Sequence, residues 1–365
     1  MIISDPFPPA LPSGWTSRLP CETDVPVVAR LLLADAREES PTAVVEEDQV
    51  ASRLVGLRSW SRRQVVIVPD DDPAGTDEAS LLSREPVAWV ALEDRAAGRT
   101  NVQWSVRRDL PGREELADAL LAWADAVGGS FARHRGVQDT NLTADSAPDD
   151  AGREGPLRRA GYEHVRMWLH MERPVDPAEA TSLPAPREGV RVRQVQTHAS
   201  GLPVAHDVRT VHRMLEESFE DHFNSYRESF AEFAARLVEG PGTQWDHWWI
   251  AEVLDEDGTW LPGGGLVADS MPATADKGEG TYLEYVGVHR SARGRGVAKA
   301  LLHAAIADAA ARGRTRVGLE VDAQSPTGAD GLYRSMGWET ASSTEAWHRT
   351  VPALPSRLVG DDENR

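Results

Sequence analysis

Arg293, Gly294, Arg295 and Gly296 place two cations and two glycines in four consecutive positions. The apolar residues before them, Tyr285, Val286, Gly287 and Val288, read as a short buried strand. After them, Val297, Ala298, Leu301, Leu302, Ala305, Ile306 and Ala309 recur at helical spacing. Strand, glycine-rich loop and helix in this order can hold a phosphate. The first N–H groups of a helix lack acceptors inside the helix, and the helix dipole favours an anion there. Glycine lets the backbone turn tightly and approach the ligand. The expected ligand is the pyrophosphate of a coenzyme. For Arg295 a solvated loop position is the competing reading.

The bulk numbers narrow the setting. A chain of 365 residues is long enough for two domains. An apolar content of 41% supports a sizeable core and argues against general disorder. A net charge of −19 disfavours a nucleic-acid partner, because phosphate binding needs a basic face. The same charge suits solubility, or a cationic small-molecule acceptor. Cys21 is the one cysteine, so no intrachain disulfide forms, and no Cys/His cluster has zinc spacing. Its neighbours Glu22 and Asp24 disfavour a thiolate. No metal is expected. The first residues lack a basic segment followed by an apolar run, and no stretch of about 18 apolar residues occurs. A cytoplasmic protein with no membrane partner is the expectation, and the oligomeric state is left open.

The elements that must position the loop fall into two sets. Residues 1–13 read as a proline-rich arm, 14–173 as a first domain, 174–188 as a linker, 189–352 as a second domain and 353–365 as a tail. Four prolines in residues 172–188 mark the linker. Each half shows the same order: strand, two helices, three strands, helix, strand, helix, strand. Arg158, Arg159, Ala160, Gly161 and Tyr162 echo Arg334, Ser335, Met336, Gly337 and Trp338. Gly263, Gly264 and Gly265 read as a turn before a strand at Leu266–Ala268.

Arg293 to Ala298 matches the pattern Arg/Gln-x-x-Gly-x-Gly/Ala after a strand and at a helix start. The segment Gly328 to Trp338, with Leu332, Tyr333 and Gly337, resembles Ala-x-x-Leu-Tyr-x-x-x-Gly-Phe. On these motifs, which cover residues 281–340, the C-terminal half resembles the GNAT superfamily of acyl-CoA-dependent N-acetyltransferases. The N-terminal half shares only the element order. The resemblance implies an α/β (α+β) fold of two tandem GNAT-like domains, each a mixed, mostly antiparallel sheet flanked by helices. In arrangement this is similar to mycothiol synthase.

The resemblance also implies roles. Acetyl-CoA would be the acyl donor. The backbone of Val286, Gly287 and Val288 would pair with its pantetheine arm, in a slot between the fourth and fifth strands. Arg293, Gly294, Arg295, Gly296, Val297 and Ala298 would cradle the pyrophosphate. Tyr333 would be the general acid for the leaving thiolate. Family members often place an Asn after the fifth strand; here Ser325 stands near that position. Glu284 is the first candidate base for the attacking amine, since a glutamate in an apolar strand is costly unless paired, hydrated or used. Its competing reading is a carboxylate that orders a loop at the mouth of the slot. His222 is the second candidate base, with packing between aromatics as its alternative. Trp245 to Trp249 wall the acceptor pocket or belong to the core. In the N-terminal half, the loop Arg107–Arg113 lacks the two spaced glycines and Leu157 stands in the place of Tyr333. That half reads as a degenerate copy. The expected function is acetyl transfer to a primary amine of a small molecule by direct attack in a ternary complex. The alternative is a non-catalytic acyl-CoA-binding or scaffold protein.

Overall fold

A computed structural model of the chain describes residues 8–56, 62–70, 78–95, 98–220, 228–238, 244–325 and 328–355. The chain divides into two compact units. One comprises the residues up to Pro41, Val45–Arg166 and those from Glu345 onward; the other comprises Thr42–Val44 and Met167–Thr344.

The first unit contains β1 (Trp15–Arg18), α1 (Val25–Glu39), α2 (Glu47–Val55), β2 (Arg62–Pro69), α3 (Glu78–Leu82), β3 (Ala88–Asp94), β4 (Arg99–Val106), α4 (Arg113–Arg135), β5 (Asp139–Ser146) and α5 (Ala151–Arg159). Strands β1 to β4 are sequential antiparallel neighbours, and β4 pairs with β5 in parallel. Alternation decides the faces. Val90, Leu92, Val102 and Trp104 pack with Leu116, Leu120 and Val127 of α4, while Val66, Trp89 and Ala91 pack with Val28, Val50 and Leu54 from α1 and α2.

Strand β6 (Glu163–Pro174) leads through α6 (Glu179–Ser182) into the second unit. There follow β7 (Val190–Gln194), α7 (Ala205–Phe219), α8 (Phe230–Val238), β8 (Trp248–Leu254), β9 (Trp260–Met271), β10 (Gly280–Val288), α9 (Val297–Ala311), β11 (Arg316–Asp322), α10 (Ala329–Ser335) and β12 (Glu339–Pro352). The sheet repeats the first: β7 to β10 are antiparallel neighbours, and β10 pairs with β11 in parallel. One face carries Leu266, Ala268 and Leu283 against Leu301 and Ala305 of α9. The other carries Trp248, Ile250 and Val267 against Val211, Leu215 and Phe233 of α7 and α8.

Each sheet is completed by a strand from the other half of the sequence. Residues Trp168–Pro174 of β6 pair antiparallel with β11 in the second unit. Residues Glu345–Pro352 of β12 pair antiparallel with β5 in the first. Trp347 is buried there and donates its Nε1–H to Ser146 Oγ at 2.9 Å.

The glycine triplet is not the turn expected from its composition. Gly263, Gly264 and Gly265 lie inside β9. A Cβ on Gly264 would stand 2.7 Å from the Gly287 carbonyl oxygen and 3.0 Å from Val297 Cγ1. Glycine here lets β10 and α9 approach the strand closely.

Candidate functional site

In the second unit the parallel ladder joins Gly280–Leu283 to Arg316–Leu319 and ends there, while β10 runs on to Val288 and β11 to Asp322. Both strands keep their outer partners, β9 and β6, over those residues. The two central strands therefore fork just past Leu283, and Glu284 is the first residue of β10 inside the fork. Glu284 also marks a β-bulge, since Leu283 pairs with Ala268 and Tyr285 with Val267. The extra residue changes the side-chain alternation. Before it, Leu283 packs on the α9 face. After it, Val286 and Val288 do, while Tyr285 packs on the α7 face. Glu284 is separated from Val286 and Val288 by the bulge and is exposed.

At the far end of β10 the loop takes the expected form. A short 3-10 turn at Arg290–Ala292 precedes an extended Arg293, and Gly296 opens α9 at φ 89°. Among the described residues no side chain caps this helix, and its first turn carries Lys299 and no acid. The leading amides of α9 can therefore take an anion. Arg293 is exposed. Arg295 turns away from the amides and donates to the backbone carbonyl of Leu254 at 2.7 Å.

Two groups that the sequence did not flag complete this end. Arg187 lies across Gly296, where a Cβ would meet its Cδ at 3.0 Å. A cleft of about 390 Å³ runs beside α9, with Arg173, Arg187, Gly296, Lys299 and His303 in its lining. Lys299 was legible as a cation in the first turn of the helix. Arg187 carries no local signal, because nothing in a proline-rich linker says what it will cover.

Tyr333 sits on α10 in the same apolar cluster as Leu319, Val321, Val286 and Val288, with its ring 5.8 Å from that of Trp338. Burial pushes its phenol up to about 12. Ser325 lies in the turn after β11, where its N–H donates to the Asp322 carbonyl at 3.0 Å. His222 falls outside the described residues. Trp248, Trp249 and His247 are buried, and the Trp245 ring lies tilted against that of Trp248, 4.8 Å between centroids.

On the α7 face, Asp269 of β9 sits opposite Tyr282 of β10. Its carboxyl is pushed up to about 7, first by burial and then by the negative charge of Glu284. Its Oδ1 is buried with no hydrogen-bond partner. The rule that flagged Glu284, an acid in an apolar strand, applies equally to Asp269; ending that strand at Ala268 in the sequence reading hid it.

The first unit has the same fork. Its parallel ladder joins Arg99–Asn101 to Asn141–Thr143 and ends, while β4 continues to Val106 and β5 to Ser146. Here the gap is bridged by a side chain. Arg153 of α5 donates to the Trp104 carbonyl at 2.8 Å and to the Asp145 carbonyl at 3.2 Å, one on each strand. Its guanidinium stacks 4.4 Å from the Trp104 ring centroid and pairs with Asp35 at 3.1 Å. Aligning Leu157 with Tyr333 puts Ala329 at the place of Arg153. Helix α4 also starts at a left-handed glycine, Gly112, but its first turn holds Glu114 and Glu115, which already answer the dipole.

Among the described residues no group of three or more His, Cys, Asp or Glu is arranged to hold a metal, and no helix is long and apolar enough to cross a membrane. Residues 209–338 match the model of the Acetyltransferase (GNAT) family. The second unit is a GNAT acetyltransferase domain. The matched domain makes the chain an acyltransferase, and the donors of the matched family are acyl-CoA thioesters.

The solved structures agree on the fold, tandem arrangement included. A GCN5-related N-acetyltransferase from Sphaerobacter thermophilus superposes with a TM-score of 0.64 at 22% identity, covering 95% of this chain and 98% of that one. A tandem GNAT protein from the clavulanic acid biosynthesis pathway gives 0.60 at 16%, covering 94% and 99%. The N-myristoyltransferase of Saccharomyces cerevisiae, solved with myristoyl-CoA, gives 0.56 at 12%, covering 96% and 82%. No curated protein sequence matches this chain.

Two substitutions separate the loop's parts. Gly296→Val forces a branched side chain into a left-handed backbone and against Arg187, a strain of about 1–3 kcal/mol. It is expected to weaken CoA binding at least tenfold by calorimetry. Arg295→Ala removes a donor to two backbone carbonyls, so it is expected to lower Tm by a few degrees, roughly 1 kcal/mol, and to change CoA affinity less than Gly296→Val.

Proposed function

We propose that the chain is an acetyl-CoA-dependent N-acetyltransferase that acts on a primary amine of a small molecule by direct attack in a ternary complex. The chemistry is assigned to the second unit. The observation that carries this reading is the fork between β10 and β11. It opens at Glu284, ends toward the uncapped start of α9, and is flanked by Tyr333 on the α9 face.

The donor supplies an activated acyl carbon: a C–N bond forms, the C–S bond breaks, and an ammonium nitrogen gives up two protons, one ending on sulfur and one in solvent. The chain's residues divide the remaining work. The amides of Gly296, Val297 and Ala298, with Arg187 and Lys299 beside them, receive the pyrophosphate. Backbone groups of Val286, Gly287 and Val288 line the fork for the pantetheine. Tyr333 keeps its proton across the working pH range, because its phenol sits near 12. A free thiol titrates near 8.5, so complete transfer to the thiolate is uphill by about 3.5 units, roughly 5 kcal/mol. Tyr333 therefore donates a hydrogen bond as charge builds on sulfur, and the proton that finally resides there is resupplied by water. Glu284 stands at the opening where the amine enters. Arg153 fills the equivalent fork of the first unit, which supports a single donor site per chain.

The test is an assay of free CoA and acetylated product, with acetyl-CoA and myristoyl-CoA as donors and spermidine, kanamycin, glucosamine and lysine as acceptors. Product with acetyl-CoA, together with a calorimetric stoichiometry of one CoA per chain, is the expected result. CoA binding with no product from any amine would instead favour a sensing role. Two CoA per chain would return the first unit to service.

A further inference from the structure

We propose that Asp269 is the residue that takes the proton from the incoming ammonium group, with Glu284 beside it. This rests on the transfer reaction proposed above and names its proton acceptor.

Geometry argues for Asp269 over Glu284. The bulge at Glu284 turns residues 284 and 285 away from the α9 face. Asp269 alternates with Ala268, which packs on α9, and so lies on the same α7 side as Val267 and Tyr285. That side is walled by aromatics, with the rings of Phe219 and Tyr285 6.5 Å apart and Trp245 in the same cluster. Tyr333 lies on the opposite face. A thioester held in the fork would thus meet the hydrogen-bond donor from one face and the proton acceptor from the other. Glu284 is exposed, whereas Asp269 is half-buried, with its Oδ1 wholly so. A hydrated carboxylate near pH 4 is a weak base, and a buried one is a stronger base.

Among the described residues, the groups that act on Asp269 are Glu284, Gln244 and Arg314. Glu284 raises its carboxyl, while the backbone N–H of Gln244 and the charge of Arg314 lower it. Arg314 is engaged with Thr281 Oγ1 at 2.7 Å. Nearby, Asp246 is held by Arg312 at 2.7 Å and by His247 at 2.7 Å. Burial outweighs these and brings the carboxyl to about 7, where a general base works best at neutral pH. The proton passes from the ammonium nitrogen to a carboxylate oxygen of Asp269 and then to solvent. The freed lone pair attacks the acyl carbon.

The test uses the full chain, its Asp269→Asn and Glu284→Gln variants, and whichever of the four amines above is acetylated fastest. In the wild type, kcat/KM is expected to rise with pH to a plateau, with a midpoint near 7. Asp269→Asn is expected to lower the plateau about 10²- to 10⁴-fold and to abolish the rising limb. Glu284→Gln is expected to move the limb to lower pH, because it removes a repulsive charge. Stability gives a readout of opposite sign. A folded carboxyl that titrates above its unfolded value loses stability as pH rises from the unfolded to the folded value, and the whole loss is present above the folded value. Asp269→Asn is therefore expected to raise Tm at pH 8 while it removes activity; a merely structural residue would lose both. A 13C titration of the carboxyls should show one resonance moving near pH 7 in the wild type and missing in Asp269→Asn. The proposal is overturned if no carboxyl titrates above about pH 6, or if Asp269→Asn matches the wild type in rate and pH profile. A wild type that acetylates no amine overturns the transfer reaction itself and this assignment with it, so the two failures are distinct.

Discussion

Residues 1–175 expressed alone are expected to lack a cooperative thermal transition, although they contain every element before the linker. The fragment loses residues Glu345–Pro352, which pair with β5 along its whole length. It also loses Trp347 and Val351, both buried among Leu120, Val127 and Leu142. Removing one buried Trp costs about 3–5 kcal/mol, against a typical domain stability of about 5–15 kcal/mol. Deleting the strand also uncovers the edge of β5, a template for aggregation. Arg349 goes too, and with it the ion pair to Asp125 at 2.6 Å. Circular dichroism melts and light scattering of the fragment, with and without a synthetic 345–355 peptide, provide the check. Recovery of a sigmoidal melt with the peptide is the expected result. A fragment that melts like the intact chain without it would mean that the borrowed strand is dispensable.

Tyr333→Phe is expected to lower kcat about 10²- to 10³-fold, the cost of removing one donor aimed at developing charge, while leaving CoA affinity within about twofold. The change deletes one hydroxyl and keeps the ring, so the packing against Trp338 survives. The phenol near 12 adds a second expectation: between about pH 6 and 10, Tyr333 contributes no titration limb, because it stays protonated throughout. The wild-type and variant pH profiles should therefore run parallel, displaced vertically. Steady-state kinetics over that range, with single-turnover measurements to separate chemistry from product release, test both points. An unchanged kcat would remove Tyr333 from the reaction. A lost alkaline limb would show that it titrates after all.

The parts of the site that were legible in the sequence are those whose physics is local. A glycine at a helix start and an apolar period of 3.6 announced Gly296 and α9 without any partner in view. The doubled element order was legible for the same reason. What was hidden depends on register. The bulge at Glu284 changes which face Val286 and Val288 share, and no residue type marks it. Gly264 read as a turn because its composition is turn-like, whereas its reason for being glycine lies in Gly287 and Val297. Asp269 became visible only when β9 proved to extend to Met271. Arg153 could be read as an ordinary helical cation until the carbonyls of Trp104 and Asp145 were found on either side of it.

The borrowed strand also sets an order of events during synthesis. Asn141 and His348, hydrogen-bonded at 2.9 Å, are 207 positions apart along the chain. At about 5–20 residues per second, the first half waits roughly ten to forty seconds on the ribosome before its last strand exists. Throughout that wait β5 has an open edge and the core around Leu142 lacks its indole. Codon changes that slow translation between residues 146 and 345 should lengthen the wait and lower the soluble yield without altering a single amino acid.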